Sequence, residues 1–246
     1  MNLSKLLNDP IFHLPISYSG DFVSNVEEVL EKYLAKLKSL NLTDEEDKKS
    51  FTQPLDKIIE RQEYFIKGLI RTIEIYLEGH PYDAYSCFKN TLIYKDSEHP
   101  GTKWLIAFSN KYFFRTRWVK GISSFGEMFH IPFEQRGIVR NQRYSISGVP
   151  SLYLSTNLYT CWKELQCPPL DELYFIRLNA IKNLNFFNLT WTPNPNPEIY
   201  QTRQFYYRQL YDSLMRWPLI ALCSIRVKNI HDFFKPEYIL PQILFQ

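Results

Sequence analysis

At 246 residues and 45% hydrophobic content, the chain suits one large domain, or one domain with an extension, and can bury a real core. Its net charge of +3, from 29 Lys and Arg against 26 Asp and Glu, is too mild to imply nucleic acid, and no apolar run reaches the roughly 18 residues a membrane helix needs. Eight glycines against fifteen prolines, with neither GxGxxG nor GxxxxGK(S/T), leave the Rossmann and P-loop readings without support. The first ten residues lack a basic start and a long apolar stretch, so no signal peptide is expected. Cys87, Cys161, Cys167 and Cys223 have no metal-ligand spacing; free thiols, no metal site and a reduced cytoplasmic setting are expected.

In chain order, helices come first. Asp21 is the expected N-cap, and Phe22, Val26, Val29, Leu30, Tyr33, Leu34 and Leu37 follow at helical spacing. A charged turn spans 41–50. A second helix is expected over 54–77, with Leu55, Ile58, Ile59, Phe65, Ile66, Leu69, Ile70 and Ile73 as its stripe. Gly79, His80 and Pro81 end it, and a shorter helix covers 82–92. The two long stripes imply a helical pair packed on the rest of the protein; a homo-oligomer through these helices is the sharper alternative. After Pro100 the pattern turns to strands: 104–108, 112–119, 151–155, 172–178 and 184–189. Ser155 or Thr156 is expected to cap a helix running to Leu165. Residues 192–197 read as a Pro-Asn loop. A helix over 201–217 puts Phe205, Leu210, Leu214 and Trp217 on one side. Residues 218–227 fit either a helix or a buried strand, and 236–245 fit a helix kinked by Pro241. The fold class is therefore α+β, with a helical extension over 1–100 and a mixed domain over 101–246.

The most informative stretch is RYSISGVPSLYLSTNLYTCWKE, Arg143 to Glu164. One turn, one strand and one short helix can fold Arg143, Tyr153 and Glu164 onto a single pocket. A guanidinium binds phosphate through two parallel hydrogen bonds. A phenol ring offers a stacking face, and a carboxylate can stabilise an oxocarbenium-like sugar. Together they suit a substrate with phosphates, a sugar and an aromatic base. Upstream, Arg115 and Arg117 lie two apart on one strand face, which is either a basic pocket wall or plain solvent. His130, alone among apolar neighbours in MFHIPF, reads as a hydrogen-bonded core residue rather than a general base. Glu237 and Gln242 fit capping or helix-surface roles at least as well as a pocket.

This block resembles the RES-domain family. Arg143-Tyr144-Ser145, Gly148-Val149-Pro150, Leu152-Tyr153 and Glu164 follow in that family's order and spacing, FFRTR resembles its Arg-bearing opening strand, and PEYILPQ a segment of its longer members. The resemblance covers roughly 112–246 and leaves the N-terminal helices outside. It implies an ADP-ribosyltransferase-like fold with a split, mostly antiparallel sheet. It also implies a toxin that consumes NAD by hydrolysis or phosphorolysis, with NAD as substrate rather than cofactor and a protein antitoxin as partner. By that resemblance Arg143 holds the NAD phosphates, with Arg115 or Arg117 as a second contact. Tyr153 packs near nicotinamide or ribose, and Glu164 stabilises the charge developing at the ribose carbon. Tyr144 and Ser145 shape the turn, Ser145 serving also as a donor. The family Ser is either Ser224, in IALCSIRV, or absent from this chain. Two alternatives stay open: transfer of ADP-ribose to a macromolecule, against which the missing Glu-x-Glu or Gln-x-Glu motif counts, and an inactive NAD-binding or sensor module.

Overall fold

The computed structural model describes residues 6–40, 54–92, 105–108, 112–119, 121, 124–146, 148–182, 184–190 and 202–245. The charged turn at 41–50, Trp104 and the Pro-Asn loop at 192–197 lie outside the described residues. The chain divides into two compact units, one of residues 1–104 with 188–246 and the other of 105–187. This differs from an extension over 1–100 followed by a domain over 101–246, because the last 59 residues group with the N-terminal helices.

In the first unit, helix α1 spans Phe22–Lys38, and the Asp21 carboxylate caps it by accepting from the Ser24 N–H at 2.9 Å. Phe22, Val26, Leu30, Tyr33 and Leu37 form its buried face. Helix α2 spans Leu55–Leu77 and buries Ile58, Phe65, Ile66, Leu69 and Ile73. Its end is a Schellman turn: Gly79 has φ +92°, and the His80 and Gly79 N–H groups donate to the carbonyls of Ile75 and Tyr76. Helix α3, Pro81–Leu92, turns back and packs on α2. The two axes meet closely at Gly68, where an added Cβ would lie 2.8 Å from Thr91 Cβ.

Helix α5, Arg203–Cys223, is longer than expected and runs through Pro218, which resolves 218–223 as helix. Proline has no N–H, so the Leu214 carbonyl loses its partner within the helix. The Tyr33 hydroxyl supplies the missing donor, at 2.8 Å and fully buried. At the next residue, Gln62 donates to the Met215 carbonyl at 3.2 Å. Around these bonds, Tyr33 stacks on Trp217 with ring centroids 4.6 Å apart, and Phe12 meets Trp217 edge-on at 5.3 Å. Leu210, Leu214 and Trp217 are buried as expected, but Phe205 is exposed, because it lies off the helix face that Tyr206, Leu210 and Leu214 bury. Residues 236–245 form a 3-10 turn, Pro236–Tyr238, and then α6, Ile239–Ile243. Pro241 sits in the first turn of α6, where no helical N–H is lost, so no kink arises there.

The second unit is built on two antiparallel strand pairs. β1 (Leu105–Phe108) pairs with β4 (Leu184–Phe187), and β2 (Tyr112–Trp118) pairs with β3 (Leu173–Asn179). Phe113 and Phe186 pack at 5.9 Å. Helix α4, Leu158–Glu164, is capped by Asn157, not by Ser155 or Thr156, since the Asn157 side chain accepts from the Thr160 N–H at 2.8 Å. Residues 151–155 are not a strand. They touch β2 through a single antiparallel bridge between Ser155 and Phe114, and the Tyr153 carbonyl that could extend the ladder accepts from the Arg115 side chain instead. The whole is mixed and mostly helical, with small antiparallel sheets.

Candidate active site

The site grows from β2. Alternation along the strand puts Phe113, Arg115 and Arg117 on one face. Phe113 is buried, and the two arginines are half-buried. Arg115 donates from Nη1 to the Tyr153 carbonyl at 3.1 Å and from Nη2 to the Phe129 carbonyl at 3.4 Å. Arg117 donates to the same Phe129 carbonyl at 2.7 Å. Two guanidinium groups thus converge on one neutral oxygen. The register sets Ile176 opposite Arg115 and Tyr174 opposite Arg117 on this face, so β3 offers no carboxylate there.

The charge balance is uncompensated. Neither arginine forms an ion pair among the described residues, and both Nε atoms are buried without a hydrogen-bond partner. Burial, then the neighbouring charge of Arg117, pulls the Arg115 guanidinium below its ordinary range; the nearby Cys161 thiol weakly opposes this. An unsatisfied buried donor costs about 1–3 kcal/mol, and more when it belongs to a charged group. Such a pair is suited to an anion that can accept from both groups.

Helix α4 is fixed to the same strand by Cys161, whose thiol donates to the Phe114 carbonyl at 3.4 Å. Glu164 lies three residues on, toward the same side of the helix, in its last turn. Its carboxylate is exposed and has no ion pair or hydrogen bond among the described residues. Tyr153 joins Arg115 through its backbone carbonyl, and its side chain is 41% exposed. Arg143 and Tyr144 are half-buried in the turn at 143–145. Ser145 is 1% exposed with its hydroxyl unpartnered. His130 hydrogen-bonds to the Ile131 carbonyl at 2.9 Å and meets Phe133 edge-on.

Ser224 belongs to the other unit. It is the C-cap of α5, not a strand residue, because the helix carries IALC to its end. Glu237, also in that unit, is 2% exposed and accepts from the Tyr18 hydroxyl at 2.8 Å and the Lys228 N–H at 2.9 Å. It therefore ties three segments of the helical unit together. Sequence reading missed the Phe129 carbonyl and the position of Tyr174. The second had a usable signal, since FFRTR and LYFIRLN are both strand-like and could be paired, whereas a backbone acceptor leaves no trace in residue type.

No helix of the described residues is long and apolar enough to cross a membrane, and none of their His, Cys, Asp and Glu side chains cluster in threes for a metal ion. A mixed, mostly helical chain with an arginine-bearing strand pair is what fold and site define, and its sequence is homologous to that of a protein named as a toxin. That relative is "Putative toxin YopC" of Bacillus subtilis (strain 168), 34% identical over 252 residues. The match covers 95% of this chain and 54% of the relative, so the chain spans about half that protein's length. No family model and no solved structure matches.

Proposed function

We propose that this chain is a RES-type enzyme that cleaves NAD at the nicotinamide–ribose bond, acting as a toxin held in check by a protein antitoxin. The carrying observation is the uncompensated pair Arg115 and Arg117, half-buried beside the Tyr153 backbone. A pyrophosphate would accept hydrogen bonds from both and supply the missing counter-charge. Arg143 contributes a further phosphate contact, with Tyr144 and Ser145 holding its turn. Tyr153 packs near the nicotinamide or ribose. As the C–N bond breaks, nicotinamide leaves with the electron pair, and positive charge grows on the ribose carbon. Glu164 stabilises that charge and orients the acceptor, either water, which releases a proton to solvent, or phosphate, and the acceptor oxygen forms the new bond. The same reading takes the two strand pairs as parts of a split ADP-ribosyltransferase-like sheet.

The test is free nicotinamide from purified protein and NAD, with and without phosphate. Release by the wild type and its loss in Glu164→Ala, with the thermal melt unchanged, is the expected result. No release where a known NAD-cleaving enzyme works would overturn the proposal. One observation favours a second reading. Ser224 caps a helix, so the family Ser has no strand position there, which suits a module that binds NAD without turnover. Saturable NAD binding with no nicotinamide formed would select it.

A further inference from the structure

We infer that Tyr174 is a positioning residue of this site, giving the planar ring of a phosphate-bearing nucleotide its stacking face; the inference rests on the nucleotide reading of the arginine pair. Tyr174 stands directly opposite Arg117 in the antiparallel ladder, so both side chains leave the same face of the sheet. It is 40% exposed, and among the described residues it has no hydrogen bond and no ring contact.

The other face of the same strand pair shows a contrasting arrangement. There Tyr112 is engaged, with the Arg177 guanidinium 4.8 Å from its ring centroid. On the arginine face the equivalent partnership is not made, because Arg117 turns its Nη2 to the Phe129 carbonyl. Tyr174 therefore keeps a free ring beside two guanidinium groups that lack an anion. Phosphate oxygens on the arginines would bring an attached aromatic ring to within reach of that phenol. Ile176, opposite Arg115, extends the apolar floor on which the ring would rest. The ligand class is a nucleotide with at least one phosphate; in a dinucleotide, the stacked ring is the adenine or the nicotinamide end.

The experiment measures dissociation constants of the full chain for NAD, ADP, nicotinamide mononucleotide and inorganic pyrophosphate, by calorimetry. The variants are Tyr174→Ala, Tyr174→Leu, which keeps apolar bulk on the strand, and Tyr174→Phe. Loss of a stacking ring is expected to weaken NAD roughly tenfold in the Ala and Leu variants, with Phe near wild type. Pyrophosphate affinity is expected to stay unchanged in all three. Whichever of ADP and nicotinamide mononucleotide weakens in parallel identifies the stacked ring. Equal weakening of pyrophosphate and NAD, unchanged NAD affinity in both Ala and Leu variants, or no nucleotide binding by the wild type would each overturn the inference. Binding that depends on Tyr174 without nicotinamide release would sink the cleavage proposal alone and leave the stacking role standing.

Discussion

At the scale of single residues, the most exacting bond is that between the Tyr33 hydroxyl and the Leu214 carbonyl. It exists because Pro218 withholds an N–H. Tyr33→Phe is expected to cost about 1–3 kcal/mol, as the buried acceptor is left without a donor. Urea unfolding of the variant measures it. Replacing Pro218 by Ala restores a helical donor, so the Tyr33→Phe cost should fall in a Pro218→Ala background. A double-mutant cycle that shows no coupling would mean the hydroxyl is not covering for the proline. Nothing in the local pattern around Tyr33 announces this bond, whose partners lie 181 residues apart. Gln62 was similarly hidden, a polar side chain inside an apolar stripe whose acceptor is 153 residues away. The arginine pair was legible, because strand alternation alone puts residues two apart on one face. That it lacks a counter-charge was not legible, since this depends on the register with β3.

Elements were read best where their determinants are local. The Asp21 cap, the α1 and α2 stripes and the Gly79 turn all lie within a few residues of what they control. Residues 151–155 failed as a strand for a non-local reason, the capture of the Tyr153 carbonyl by Arg115. The α2–α3 contact yields a prediction at this scale. Gly68→Ala drives a methyl into Thr91 and should destabilise the chain by about 1–3 kcal/mol, as overpacking does. Thr91→Ala on top of it should recover much of the loss in a thermal melt; failure to recover would move the strain to the helix backbone. A second prediction concerns pH. The 3-10 turn Pro10–Phe12 is tied to α1 by Asp9, which pairs with Lys36 at 2.6 Å. The hydrogen bond from Lys36, foremost, holds the Asp9 carboxyl below its ordinary value. A lowered folded-state pKa gives stability that is complete above the unfolded value and disappears as pH falls through the folded one. Asp9→Asn should therefore melt below wild type at neutral pH, with the gap starting to close near about pH 4. A gap that persists at strongly acid pH would rule out the ion pair as its source.

At the scale of the whole molecule, the buried apolar residues concentrate in the discontinuous helical unit. Trp217, Tyr33, Leu30, Leu69, Ile73, Leu219 and Ile220 are all fully buried there, and they come from both ends of the chain. A boundary near residue 100 is natural from sequence, because residue types change from helical to β-rich at that point. It is not where cohesion ends, for α5 has to cover the stripes of α1 and α2. Without it, Val26, Leu30 and Tyr33 would meet water, and each fully buried large side chain is worth about 1.5–3 kcal/mol on transfer. The expectation follows that a fragment of residues 1–104 is unfolded or aggregated, whereas the same fragment joined by a flexible linker to 188–246 folds with a cooperative melt. Circular dichroism and heteronuclear NMR of the two fragments decide between them. A stably folded 1–104 fragment would restore the N-terminal extension as an autonomous domain, and α5 would then be an accessory to it rather than part of its core.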